Sequence, residues 1–254
     1  MTCLLAATAA ALTLSALSAE PDAATRYADA LARLEKDRAE LAAQYQKGKA
    51  KERPEVLSRA RDRLSRALDE ELVPAWYGTP WEFYGVSETP GSGAIACGYF
   101  VSTVLRDAGL RVERVRMAQQ ASEYIVRSLA PAARILRLKN QTNAQVIDQV
   151  RKQGDGWYVV GLDYHVGFIR IDGDAARFCH SSYLGTKAVT CEAPELAGAL
   201  VSTLHVVGPA FADARVVDWL LQRPVPTQVP PAPAKKTAAT KAPAASEAPR
   251  PPSL

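Results

Sequence analysis

The sequence predicts an α+β fold, and three observations carry that reading. Two charged, Ala-rich stretches within the first 73 residues show apolar side chains at helical spacing. An apolar helical pattern begins near Cys97, directly after a Gly-rich loop. From Trp157 onward the chain breaks into five short runs rich in β-branched and aromatic residues, separated by turn signals.

The elements follow in order. Leu4 to Leu17 is an Ala/Leu run, shorter than the roughly 18 residues a membrane span needs. Small residues follow it, with Ala16-Leu17-Ser18 and Leu17-Ser18-Ala19 as alternative cleavage triplets, so residues 1–19 are expected to be a secretory signal. That implies an exported protein, periplasmic or extracellular, with no membrane span. Residues 20–73 are expected to form a helical hairpin. From Ala23 to Gln46, Tyr27, Leu31, Leu34, Leu41 and Tyr45 share one stripe, and Gly48 ends the helix. A second helix starts at Pro54, turns Leu57, Leu64, Leu68 and Leu72 inward, and is expected to stop at Pro74. Such a hairpin either packs on the next domain as a scaffold or offers a coiled-coil surface to a partner.

Residues 74–221 are expected to be the compact domain. The helix from Cys97 carries Phe100, Val101, Val104, Leu105 and Ala108 before Gly109 caps it. Helices over Ala118 to Leu129 and Asn143 to Lys152 come next. The strands are Trp157 to Leu162, Val166 to Ile171, Ala176 to Ser181, Val189 to Glu192 and Ser202 to Val207. Residues 222–254 hold nine of the 17 prolines and carry Arg223, Lys235, Lys236, Lys241 and Arg250 against Glu247. This stretch is expected to be a disordered Pro/Ala/Lys-rich tail with extended, linker-like character. Its net charge equals the +4 of the whole chain, so the body is neutral. A neutral body argues against a nucleic-acid-binding domain.

With residues 1–19 removed, Cys97, Cys179 and Cys191 remain, an odd count for an oxidising compartment. A three-residue turn centred on Gly185 places Cys179 and Cys191, each six residues from that centre, opposite one another as a disulfide pair. Cys97 is then the free thiol. Its place at a helix start, where backbone N–H groups and the macrodipole gather, favours a thiolate. A base must come from His165, His180 or His205, and His205, in an apolar strand, reads as structural. His165 and His180 bracket a hairpin whose turn signal is Asp172-Gly173. If those two residues are the loop, His165 and His180 lie directly opposite one another, with Cβ atoms about 5 Å apart. A three-residue loop would send them to opposite faces. No zinc or other metal site is expected, because Cys97, His165 and His180 lack the short spacings of structural sites, and the reading requires no cofactor.

At these residues the chain resembles the NlpC-type cell-wall cysteine peptidases, a papain-like family that cleaves peptidoglycan stem peptides. Gly78-Thr79-Pro80-Trp81-Glu82-Phe83-Tyr84-Gly85 is similar to the family's Gly-x-Pro-Tyr-x-Trp-Gly-Gly segment. Ala96-Cys97-Gly98-Tyr99-Phe100-Val101 stands where the family has Asp-Cys-Ser-Gly-Phe-Val. His165-Val166-Gly167-Phe168-Ile169 and Phe178-Cys179-His180-Ser181-Ser182 resemble its His-Val-Gly-Ile-Tyr and Phe-Ile-His-Ala-Ser. The resemblance covers Trp76 to Val207. It implies a papain-like core in which a nucleophile-bearing helix packs on an antiparallel sheet, with Cys97 as nucleophile, His165 as base and His180 as the orienting residue. Trp81 replaces the family's tyrosine near the oxyanion, so Trp81 or Tyr84 is the expected donor there. Residues 112–154 read as an insertion near the cleft. The expected function is thus an exported cysteine hydrolase acting on an amide bond of peptidoglycan. The competing reading is a non-catalytic binding module of the cell envelope, with Cys97 buried and a partner recruited by the hairpin or the basic tail.

Overall fold

A computed structural model describes residues 22–231. The expected signal segment and the tail beyond Pro231 lie outside the described residues. The first helix, α1 (Ala23–Lys47), starts where the Asp22 carboxylate accepts the Thr25 N–H, and it ends at Gly48. The second, α2 (Arg53–Ala67), has Pro54 in its first turn, where a missing N–H costs nothing. Pro74 does not stop it. A π-turn over Leu68–Leu72 leads into α3 (Val73–Ala75), so Pro74 falls in the first turn of a new helical segment.

This hairpin packs on the rest of the chain. Leu34, Leu64 and Leu68 share one core with Phe100 and Trp219. Asp69 accepts hydrogen bonds from Arg170 at 2.9 Å and Arg177 at 2.7 Å, which ties the end of α2 to the sheet. Tyr27 donates to Asp107 at 2.7 Å and accepts from the Trp76 indole at 3.3 Å. Burial and the Asp107 charge push the Tyr27 hydroxyl far above its ordinary range, so it remains a donor.

After α4 (Cys97–Asp107) come β1 (Arg111–Val112), α5 (Arg114–Ala118), α6 (Ser122–Leu129), β2 (Leu136–Lys139) and α7 (Asn143–Arg151). The helix expected over Ala118 to Leu129 is α6, which starts four residues later at Ser122 and ends at Leu129, while Ala118 closes α5. The stretch read as an insertion supplies β2 to the main sheet, so helices do not simply precede strands. The strands β3 (Gly156–Gly161), β4 (Val166–Asp172), β5 (Ala175–Ser181), β6 (Val189–Glu192) and β7 (Leu204–Pro209) complete a six-stranded sheet, ordered β2-β7-β3-β4-β5-β6. Every pairing in it is antiparallel. The larger core, with α4 and the hairpin, lies on one face; α7 covers the other, over Ile169, Ile171 and Val207.

The chain closes with α8 (Asp213–Leu220) and β8 (Pro224–Val225), which pairs in parallel with β1. The boundary expected at residue 222 is thus too early. Val225 is buried, and the Gln228 N–H donates to Ser128 Oγ at 2.8 Å, so the chain stays packed through this stretch despite its prolines. Val225 supplies the apolar anchor that composition alone hides.

Candidate active site

Cys97 opens α4 because the segment before it is pinned at three points. The Ala96 N–H donates to Gly85 O, the Ile95 N–H donates to Pro80 O, and Ser181 Oγ on β5 donates to Ile95 O at 2.6 Å. Gly85 permits the crossing, since a Cβ there would stand 2.6 Å from Ala94 and Ile95 backbone atoms. Gly98 allows α4 to touch α5, where a Cβ would lie 2.4 Å from Ala118 O.

The sulfur's environment differs from the expected one. Burial pushes the Cys97 thiol up, while the N–H groups of Val166, Gly98 and Cys97 itself pull it down; burial dominates. The helix N-terminus therefore does not hold a resting thiolate here, and the sulfur keeps its proton at neutral pH.

His165 sits at the tight turn joining β3 to β4, where the Leu162 N–H donates to His165 O at 2.8 Å. Its neighbour Asp163 accepts from Thr203 N–H at 2.8 Å and Ser202 Oγ at 2.9 Å, which fastens the turn to the start of β7. His165 and Cys97 line one cavity of about 230 Å³, together with Ser122 and Ile125 of α6. A second hollow of about 410 Å³ shares Asp163 and His165 with the first and is lined also by Tyr183 and Val201. The stretch read as an insertion thus walls the Cys97 cavity.

The two histidines meet, although by a different register from the expected one. Asp172 pairs with Ala175, so the loop is Gly173-Asp174, one residue later than Asp172-Gly173. Gly173 takes φ +55°, as a two-residue turn with glycine in first position requires. The shift moves the ladder by two residues and so keeps every side chain on its face. His165 and His180 consequently lie on a diagonal, not directly opposed, and His165 Nε2 stands 2.8 Å from His180 Nδ1. Gly167, opposite His180, makes the diagonal accessible: a Cβ there would meet His180 Cβ at 2.9 Å and Phe178 at 2.7 Å. The Phe178 ring stacks on His180 with centroids 4.2 Å apart.

His180 reaches a partner that the sequence reading missed. Its Nε2 lies 2.9 Å from Glu192 Oε1, on a second diagonal from β5 to β6. Pairing of Cys179 with Cys191 fixes that diagonal, and those two cysteines form a disulfide in the expected register. The same register puts His180 opposite Thr190, with Glu192 on the same face two residues on; the counting that paired the cysteines held the signal for Glu192 as well.

Burial, and for His165 also the proximity of His180, lowers both imidazoles, His165 to about 3 and His180 to about 4. Both rings are neutral at pH 7. Burial raises the Glu192 carboxyl. His165 Nδ1 is buried and makes no hydrogen bond.

The remaining expected site residues stand further off. Trp81 packs at a tilt on Tyr183, which in turn packs edge-on against His165, so Trp81 is one ring removed from His165. Tyr84 is 85% exposed, rests against Phe83, and is not among the residues lining the Cys97 cavity. His205 is fully buried and its Nε2 donates to Leu200 O at 2.9 Å, away from both cavities. Among the described residues no cluster of three or more His, Cys, Asp or Glu side chains is arranged to hold a metal ion, and no helix is long and apolar enough to cross a membrane. In comparisons with known proteins, no family model matches the chain, nor does any curated protein or solved structure.

Proposed function

We propose that the chain is an exported thiol hydrolase with a papain-like core of the NlpC type, acting on an amide bond in peptidoglycan stem peptides. The observation that carries this reading is one cavity bearing a free thiol and a buried imidazole, with a second imidazole 2.8 Å behind the first. The Cys179–Cys191 disulfide supports export.

In this mechanism the thiol and His165 start neutral. As the sulfur attacks the amide carbonyl, its proton passes to His165 Nδ1, and the C–S bond forms while the carbonyl π pair moves to oxygen. The Cys97 N–H, at the α4 N-terminus, serves that oxyanion. Collapse breaks the C–N bond, the leaving amine takes the proton from His165, and a thioester remains. Water, deprotonated by His165, attacks the thioester; the C–S bond breaks and the sulfur regains a proton. His180 keeps the His165 ring in its working tautomer.

The test is digestion of purified peptidoglycan with the full chain, with released fragments identified by mass. Cys97→Ala should abolish release while the fold persists; release by that variant would overturn the reading. The binding-module reading draws support from the raised thiol, since a half-buried, protonated sulfur is also what an inert cysteine shows. Peptidoglycan retention without fragment release, unchanged in Cys97→Ala, is its expected outcome.

A further inference from the structure

We infer that Glu192 is a positioning residue which, through two imidazoles in series, sets the proton placement that leaves His165 Nδ1 bare and able to act as the base. The inference rests on the hydrolase reading and deepens it.

A carboxylate only accepts hydrogen bonds, so the 2.9 Å contact with Glu192 Oε1 places a proton on His180 Nε2. A neutral imidazole carries one proton, and therefore His180 Nδ1 is bare and accepts. The 2.8 Å contact then requires that His165 Nε2 donate, which leaves His165 Nδ1 bare as well. That nitrogen is the buried one without a hydrogen bond. Both rings are neutral at pH 7, which excludes the doubly protonated alternative. The steric frame permits little rearrangement: Phe178 stacks on His180 and the Tyr183 ring packs edge-on to His165.

The line from β6 to the β3–β4 turn is thus directional. An acceptor at its outer end yields a base at its inner end. A donor there would reverse both rings and put a proton on His165 Nδ1, where it blocks proton uptake from sulfur. Glu192 sits where this control is exerted from the rim, its side chain 35% exposed against none for His180.

The experiment is a long-range ¹H–¹⁵N correlation spectrum of the full chain labelled with ¹⁵N-histidine at pH 7, with His205 as an internal third signal. The expected spectrum shows Nε2 protonated and Nδ1 bare for both His165 and His180. Glu192→Ala, at a partly exposed rim position, should dissolve that order into a mixture of tautomers and lower kcat by on the order of tenfold to a hundredfold, with KM little changed. A proton on His165 Nδ1 in the unmodified protein, or a tautomer pattern untouched by Glu192→Ala, would overturn the inference. The spectrum reads proton positions whether or not the protein turns over substrate, so failure here and failure of the hydrolase reading are separate results.

Discussion

Cys179 and His180 are consecutive residues of β5 that face opposite ways, and the strand does two jobs because of it. On one face Cys179 is bonded covalently to Cys191 and sealed in the larger core. On the other, His180 joins His165 and Glu192 through contacts of 2.8 and 2.9 Å that depend on where protons sit. One register, Cys179 opposite Cys191, determines both. The covalent face holds no titrating proton but yields to reduction; the hydrogen-bonded face withstands reduction only while the ladder holds. Alternation lets a permanent clamp fix the alignment of a titratable relay without touching it.

The sharpest way to break this pairing of faces is to remove the clamp. Replacing Cys179 and Cys191 by Ala opens a loop spanning 12 residues of separation and should cost about 2–4 kcal/mol in urea unfolding. Intact stability in the double variant would show that the ladder alone fixes the register. Next comes Gly167→Ala, which drives a methyl against His180 Cβ and Phe178. We expect a loss of about 1–3 kcal/mol and, on the proposed hydrolase reading, a fall in hydrolysis larger than the stability change explains, because the His165–His180 diagonal is displaced; parallel denaturation and rate measurements check this.

The histidine face also predicts an acid response. His165 and His180 titrate near 6.5 when unfolded but at about 3 and about 4 when folded. Between those values the unfolded chain binds more protons, so stability is full above pH 6.5 and declines as pH falls from 6.5 toward 3. Calorimetric Tm values should drop over that window, and His180→Asn should flatten the drop; an unchanged slope would show that carboxylates govern it. The smallest effect belongs to neither face: Tyr84→Ala, at an 85% exposed ring, should leave hydrolysis within twofold, and a larger loss would restore Tyr84 to the site.

The sequence made the strand edges legible because alternation and turn chemistry are local. The Gly185-centred turn gave the cysteine pairing at once, and the same register places Glu192 on the face of His180. The β4–β5 register came out two residues away, since Asp-Gly signals a tight turn without saying which neighbour closes it; Ala175, not Asp174, pairs with the strand before it. The charge state of Cys97 was illegible, as burial is a property of the assembled core and here outweighs the helix end. Pro74 and the prolines after Leu221 misled for a shared reason. Proline forbids an N–H donor, not a packed place, and both the short segment at Val73–Ala75 and the β8 strand use it where no donor is needed.

One feature of the cavity sets how its shape can change. Close main-chain contacts back its wall: Gly98, which lines it, abuts the Ala118 carbonyl, and behind Ser122 a Cβ on Gly161 would stand 2.7 Å from that residue's backbone. A larger side chain at Gly98 would part α4 from α5, and one at Gly161 would part β3 from α6. On the hydrolase reading, a change of substrate is therefore accommodated most readily at Gln120 and Tyr164, lining residues whose side chains lie outside the packed core.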